Sequence, residues 1–214
     1  MARLKTAVLI SGRGSNLQAL IEACAASDFP GEIALVISNV IEASGIEHAI
    51  KAGIPVRIVP HRDFKTREEF EMALDKILRA AGIGLVCLAG FMRVLTGGFV
   101  DAWNGQLVNI HPSLLPDFPG LDTHRRALEA HKRFAGCSVH FVRAEVDAGP
   151  VIVQAAVPVL PGDDEHKLAA RVLTAEHKAY PLALRLVAEG RARLSGNQVE
   201  IDGKPGPIRL NPVA

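Results

Sequence analysis

Asn109 and His111 stand two residues apart in the run LVNIHPSLLPDFPG, Leu107 to Gly120. Two residues is one strand period, so side chains at this spacing project to the same side of a strand. An amide NH2 is a fixed hydrogen-bond donor, and an imidazole gains or loses a proton near neutrality. Together they suit an oxyanion developing on a tetrahedral carbon. Pro112, Pro116 and Pro119 follow and stiffen the next loop before any substrate arrives. The plainer alternative is a strand-end histidine that caps a loop.

A second candidate is SGRGSN, Ser11 to Asn16. Gly12 and Gly14 permit a tight turn and close backbone approach. Ser15 and Asn16 open a helix, where free N–H groups favour an anion. No GK[ST] follows, and Leu17 occupies the third position of GxGxxG. A nucleoside triphosphate or dinucleotide is therefore disfavoured and a phosphomonoester favoured. A helix cap on a tight turn is the alternative. The third candidate is RAEVDAGP, Arg143 to Pro150, a loop with two carboxylates, Glu145 and Asp147. A carboxylate brought near His111 is expected to raise its pKa. Solvated loop charge is the default reading, above all for Glu145.

Other chemistries read poorly. The eight histidines are scattered, and most are expected on the surface or in loops. No HExxH and no Cys/His cluster has zinc spacing. No GxSxG elbow occurs. Cys24, Cys87 and Cys137 are far apart and odd in number, which argues against a disulfide framework and for a reducing compartment. Cys87 lies in an apolar strand and reads as core. With 24 basic and 23 acidic residues, no bulk field calls for nucleic acid or an anionic membrane. No apolar run approaches the roughly 18 residues of a membrane span. A soluble cytoplasmic protein is expected.

These residues need a scaffold, and strand and helix signals alternate to supply one. Strands are expected at Thr6–Ser11, Glu32–Ser38, Val56–Pro60, Gly84–Gly90 and Gln106–Ile110. Helices are expected from Asn16, over 44–52 and over Thr66–Ala81, the last with a capping box from Thr66 and Glu69. Alternation of this kind means βαβ units and a parallel sheet, whose ligands bind beyond the carboxyl ends of the strands. After residue 120 the pattern changes. A helix is expected over Asp122–His131. Cys137–Val142 and Val151–Val159 have no helix between them, so they are expected to pair antiparallel at one edge. A helix over Asp163–Glu189, broken near Pro181, and a hairpin with an irregular end complete the chain. The expected fold is a single-domain, Rossmann-like α/β sheet, mostly parallel with an antiparallel edge and helices on both faces. The expected domain spans 1–190, with 191–214 as a hairpin and tail packed on it.

The segments LISGRGSNLQALIEA, LAGFMRVL, LVNIHPSLLPDFPGLDTHRRAL, GCSVHFVRAEVDAGPVIVQAAVPV and EHKAYPLAL occur in this order. The chain thereby resembles the phosphoribosylglycinamide formyltransferases, folate-dependent enzymes of purine biosynthesis, from about residue 5 to about residue 190. The resemblance implies that Asn109, His111 and Asp147 are the catalytic trio. It implies that Gly14, Ser15 and Asn16 hold the phosphate of glycinamide ribonucleotide, and that Glu176 contacts its sugar hydroxyls. It places Arg67, Met92, Arg93, Val94, Leu95, Asn109, Arg143, Ala144, Glu145, Val146 and Asp147 on the folate side. The implied co-substrate is 10-formyltetrahydrofolate, with no metal, no nucleic acid, no membrane, and a monomer or homodimer. A methionyl-tRNA formyltransferase would carry a further C-terminal domain, and a formyltetrahydrofolate hydrolase an N-terminal one. A phosphosugar-binding module would leave Asn109, His111 and Asp147 without a role.

Overall fold

The computed structural model describes residues 2–210, which cluster as two compact units divided between Asn109 and Ile110. In the first unit, β1 (Leu4–Ile10), β2 (Gly31–Ser38), β3 (Val56–Ile58) and β4 (Leu85–Leu88) are joined by α1 (Ser15–Cys24), α2 (Ile46–Lys51) and α3 (Arg67–Ala80). β1 pairs in parallel with β2 and with β4, and β2 pairs in parallel with β3. All four residues of β4 are buried, as a strand covered on both faces requires. After α4 (Gly97–Ala102), β5 (Leu107–His111) pairs in parallel with β4. The register sets Leu9 beside Leu88 and Leu88 beside Asn109. The carboxyl ends of β1, β4 and β5 therefore share one edge.

Local sequence explains most of these elements. Thr66 caps α3, its Oγ1 accepting from the Glu69 N–H at 3.1 Å. Glu69 reaches back to the Lys65 N–H at 3.0 Å, one residue before the position a capping box uses. The helix α4 was absent from the sequence expectation, because Gly97–Gly98 argues against helix on propensity. A tertiary contact overrides it: the buried Glu71 carboxylate accepts from the Thr96 N–H at 2.8 Å and from the Thr96 hydroxyl. Thr96 in turn caps α4 through the Phe99 N–H.

The second unit continues from the end of β5 into α5 (Thr123–Glu129), β6 (Phe134–Phe141), β7 (Val151–Pro158) and α6 (Glu165–Ala188). The strands β6 and β7 are antiparallel, with Cys137 opposite Ala155, as expected. The strand β6 starts three residues before the expected Cys137. The helix α6 is not broken at Pro181; it runs through it, lined on its buried face by Leu168, Val172, Ala179, Tyr180, Ala183 and Leu184, and packs on β6 and β7. Burial of that face outweighs the hydrogen bond that proline cannot make. The tail forms the antiparallel hairpin β8 (Ala192–Ser195) and β9 (Gln198–Ile201), with β10 (Lys204–Pro205) paired to β9. Its expected irregular end is instead a strand, β11 (Ile208–Leu210), parallel to β7 with Ile208 beside Val153. The antiparallel pair thus lies one strand in from the end of its sheet. The expected tail beyond Leu210 lies outside the described residues.

Candidate active site

The strand β5 carries both residues of the opening motif, Asn109 one strand period before His111. His111 is buried, and both of its ring nitrogens meet acceptors. Nδ1 lies 3.2 Å from Asp147 Oδ2, and Nε2 lies 2.9 Å from the Phe118 carbonyl. Phe118 belongs to the proline-rich loop, whose Leu115–Pro116 bond is cis. Asp147 comes from the loop between β6 and β7, with φ of 54°. Its Oδ2 also accepts from the Gly120 N–H at 2.9 Å. Residues 36 apart in sequence are thus joined, which spacing alone leaves undecided. Gly149 makes this return possible: a Cβ there would lie 1.6 Å from the Phe141 carbonyl oxygen.

The third group is His140, on β6, which lies in an expected strand but to which the sequence assigned no role. It is 2 % exposed, its Nε2 lies 3.6 Å from Asp147 Oδ1, and its Nδ1 lies 2.9 Å from the Phe141 carbonyl. Its alternation with the buried Ser138 in CSVHFV was the available signal, since both occupy one side of a buried strand.

The charges do not settle as expected for His111. Burial holds its imidazole below the ordinary 6.5, and this outweighs the upward pull of the Phe118 carbonyl and of Asp147. For Asp147, burial raises the pKa, but His140, the Gly120 N–H and His111 together bring it below 3.8. Both shifts have the same consequence for stability. A group with a depressed folded-state pKa binds more protons unfolded, so its stabilisation is present above the unfolded pKa and lost as pH falls through the folded one. The melting temperature should be flat between about pH 7 and 8, fall below about 6.5 as His111 charges in the unfolded chain, and fall again below about 4. Unfolding followed by circular dichroism between pH 8 and 4 checks this. A melting temperature that rises on acidification would contradict it.

At the carboxyl end of β1, Gly14 has φ of 71° and precedes α1 with no side-chain cap, and Ser15 and Asn16 form the first turn. A tight turn leading into a helix is the local structure the sequence suggested. The segment Met92–Leu95 follows β4 without regular structure. Met92 is 68 % and Val94 50 % exposed, Leu95 is buried, and the Arg93 guanidinium lies over the Phe70 ring at 5.7 Å. Arg67 opens α3 and is exposed. Arg143 donates to the Gly196 carbonyl at 2.7 Å, at the turn between β8 and β9, while Ala144, Glu145 and Val146 are exposed. Glu176 is buried on α6, and its charge adds to the burial that pushes the Cys137 thiol far up. None of the three cysteines forms a disulfide, and all three are buried. Among the described residues, no group of three or more His, Cys, Asp or Glu side chains is placed to hold a metal ion, and no helix is long and apolar enough to cross a membrane.

The family model described as formyl transferase matches residues 4–184. The chain belongs to the formyl transferase family. Within that family it is 47 % identical over 200 residues to the phosphoribosylglycinamide formyltransferase of Escherichia coli strain K12, covering 94 % of each chain. It is 53 % identical over 193 residues to the trifunctional purine biosynthetic protein adenosine-3 of Drosophila pseudoobscura pseudoobscura, covering 89 % of this chain and only 14 % of that protein. A solved formyl transferase structure, the phosphoribosylglycinamide formyltransferase of Coxiella burnetii in complex with CHES, superposes with a TM-score of 0.92 at 44 % identity. The match covers 96 % of this chain and 99 % of that one. The mostly parallel sheet with an antiparallel pair is the fold of these relatives.

Proposed function

We propose that this chain is a phosphoribosylglycinamide formyltransferase, transferring a formyl group from 10-formyltetrahydrofolate to the amine of glycinamide ribonucleotide in purine biosynthesis. The observation that carries this reading is the buried contact of His111 Nδ1 with Asp147 Oδ2 at 3.2 Å, at the end of the strand that bears Asn109. The amine lone pair attacks the formyl carbon, and the carbonyl π pair moves to oxygen. Asn109 and the His111 imidazolium stabilise that oxyanion. The attacking nitrogen gives up a proton, the oxygen pair re-forms the carbonyl as the bond from carbon to the folate nitrogen breaks, and that nitrogen takes a proton. The products are the formylated ribonucleotide and tetrahydrofolate. His111 has acceptors at both nitrogens, which favour its charged form, and burial, which opposes it. Such a balance suits a group that takes and returns a proton. Asp147 steadies the ring and its charge, and no metal enters the reaction.

In this reading Gly14, Ser15 and Asn16 hold the ribonucleotide phosphate and Glu176 contacts its sugar. Arg67, Met92 to Leu95, Asn109 and Arg143 to Asp147 form the folate side. Residues 1–190 are the formyltransferase domain and 191–214 its appendage. The protein works in the cytoplasm as a monomer or homodimer, without nucleic acid. Purified protein mixed with glycinamide ribonucleotide and a 10-formyl folate with a chromophoric leaving form tests it. Absorbance should change only when the ribonucleotide is present, and EDTA should not matter. Turnover without the ribonucleotide would replace this reading with a hydrolase, and silence in every mixture would overturn it.

The cradle depends on a glycine outside it. Gly45 donates its N–H to the Gly12 carbonyl at 2.9 Å. A Cβ on Gly45 would lie 2.8 Å from the Gly14 Cα and 2.9 Å from the Gly12 oxygen, both backbone atoms. Overpacking of this kind costs about 1–3 kcal/mol. Gly45→Ala should therefore raise the KM for the ribonucleotide roughly 10-fold or more, with the folate KM near parental. Steady-state kinetics with each substrate varied checks this, and an unchanged ribonucleotide KM would remove the cradle from phosphate binding.

A further inference from the structure

Ser11 opens the SGRGSN segment but is not one of the residues read as holding the phosphate, and its side chain reaches the folate-side segment. It follows β1 and immediately precedes the glycine cradle. Its N–H donates to the Gly90 carbonyl at 3.2 Å, and its Oγ accepts from the Met92 N–H at 2.8 Å. The same hydroxyl donates to Asn39 Oδ1 at 2.6 Å. Only a hydroxyl both donates and accepts from one atom at this site. Asn39, beyond β2, is 2 % exposed, and its Nδ2 lies 3.2 Å from His61 Nδ1. An amide turned that way leaves its oxygen to receive the Ser11 proton. The carboxyl ends of β1, β2 and β4 are thereby pinned by one side chain.

The pinned segment has nothing regular to hold it. Residues 91–96 make no helix or strand, and they carry two large exposed apolar side chains, Met92 and Val94. Apolar side chains held out from irregular backbone need an anchor to keep one position. The Ser11 hydroxyl supplies it at Met92, its N–H holds Gly90 just before the segment, and Glu71 holds the far end at Thr96.

We propose that Ser11 is a positioning residue for the formyl donor, its hydroxyl holding the Met92–Leu95 segment in register with the glycine cradle. This rests on the folate-side reading of that segment given above. Ser11→Ala removes both hydroxyl bonds and adds no atoms. The KM for the 10-formyl donor should rise about 5- to 10-fold, the effect of roughly one hydrogen bond, while kcat and the ribonucleotide KM stay within about twofold. Ser11→Thr keeps the hydroxyl and should restore the donor KM. Loss confined to kcat, or equal loss in every parameter, would mean a general structural role and would overturn the proposal. Amide hydrogen exchange provides a measurement independent of turnover. The Met92 N–H should exchange about 10-fold faster in Ser11→Ala and at the parental rate in Ser11→Thr, since removing its acceptor costs about one hydrogen bond. Unchanged exchange would overturn the anchor itself. Inactivity of the parental protein would instead remove the folate reading and leave the exchange result to decide whether Ser11 pins the segment.

Discussion

His111→Ala should lower kcat by about 10²- to 10⁴-fold, the range that a positioned acid or base contributes. The KM values for both substrates should change little, because the ring acts on reacting atoms and the recognition groups lie elsewhere in the sequence. The substitution also removes one of the partners of Asp147. The Gly120 N–H at 2.9 Å and His140 at 3.6 Å remain, so the carboxylate keeps two of them. Its pKa should rise, and the protein should lose some stability as well. The two effects separate with His111→Gln, whose amide hydrogen-bonds without taking up a proton. A variant that melts near the parental temperature but turns over as slowly as the alanine one locates the loss in proton transfer. Near-normal turnover in His111→Ala would remove the imidazole from the mechanism. The pH profile gives a further reading, since burial sets the His111 pKa below 6.5 in the free protein. The histidine limb of kcat/KM reports the free enzyme and should lie on the acid side of the ordinary imidazole.

The parallel part of the fold was legible because its signals are local. The strand β4 is a short apolar run bounded by glycines, and Thr66 with Glu69 marks the start of α3. What sequence hid is what depends on partners distant in the chain. Two glycines begin α4, and only the buried Glu71 carboxylate explains why Thr96 caps a helix there. Pro181 suggests a break, but the packing of the α6 face on β6 and β7 decides otherwise. Three residues of the tail, Ile208 to Leu210, carry too little periodicity to announce a strand, and β7 provides the ladder.

The site divides in the same way. Asn109 and His111 are neighbours on one strand, so period two exposed them. Asp147 was one of two carboxylates in its loop, and the 3.2 Å contact distinguishes it from the exposed Glu145. His140 was missed for a physical reason. A single histidine in an apolar strand resembles a satisfied core residue until its partner is known. The direction of the His111 shift was also missed, because a nearby carboxylate is visible as a sequence hypothesis and burial is not.

Asn109→Ala should cost about 10²-fold or more in kcat, the usual effect of deleting one oxyanion donor. The amide is well suited to this task. It carries no charge, so it stays on one side of the reaction without titrating, and β5 fixes it through the pairing of Asn109 with Leu88. A donor on a strand is held more firmly than one on a loop, and a preformed donor requires no reorganisation as charge develops. Asn109→Asp keeps the shape but places a carboxylate where negative charge forms, so its loss should exceed that of alanine. The double variant with His111→Ala is the discriminating measurement. Two groups acting on one transition state are strongly non-additive, so the double variant should lose far less than the product of the two single losses. Independent roles, with Asn109 only binding folate, would give the full product, with the Asn109 loss in KM for the donor. An Asn109→Ala enzyme within about twofold of the parent in kcat would leave the imidazole as the only oxyanion partner on β5, and it would need a second donor from outside that strand.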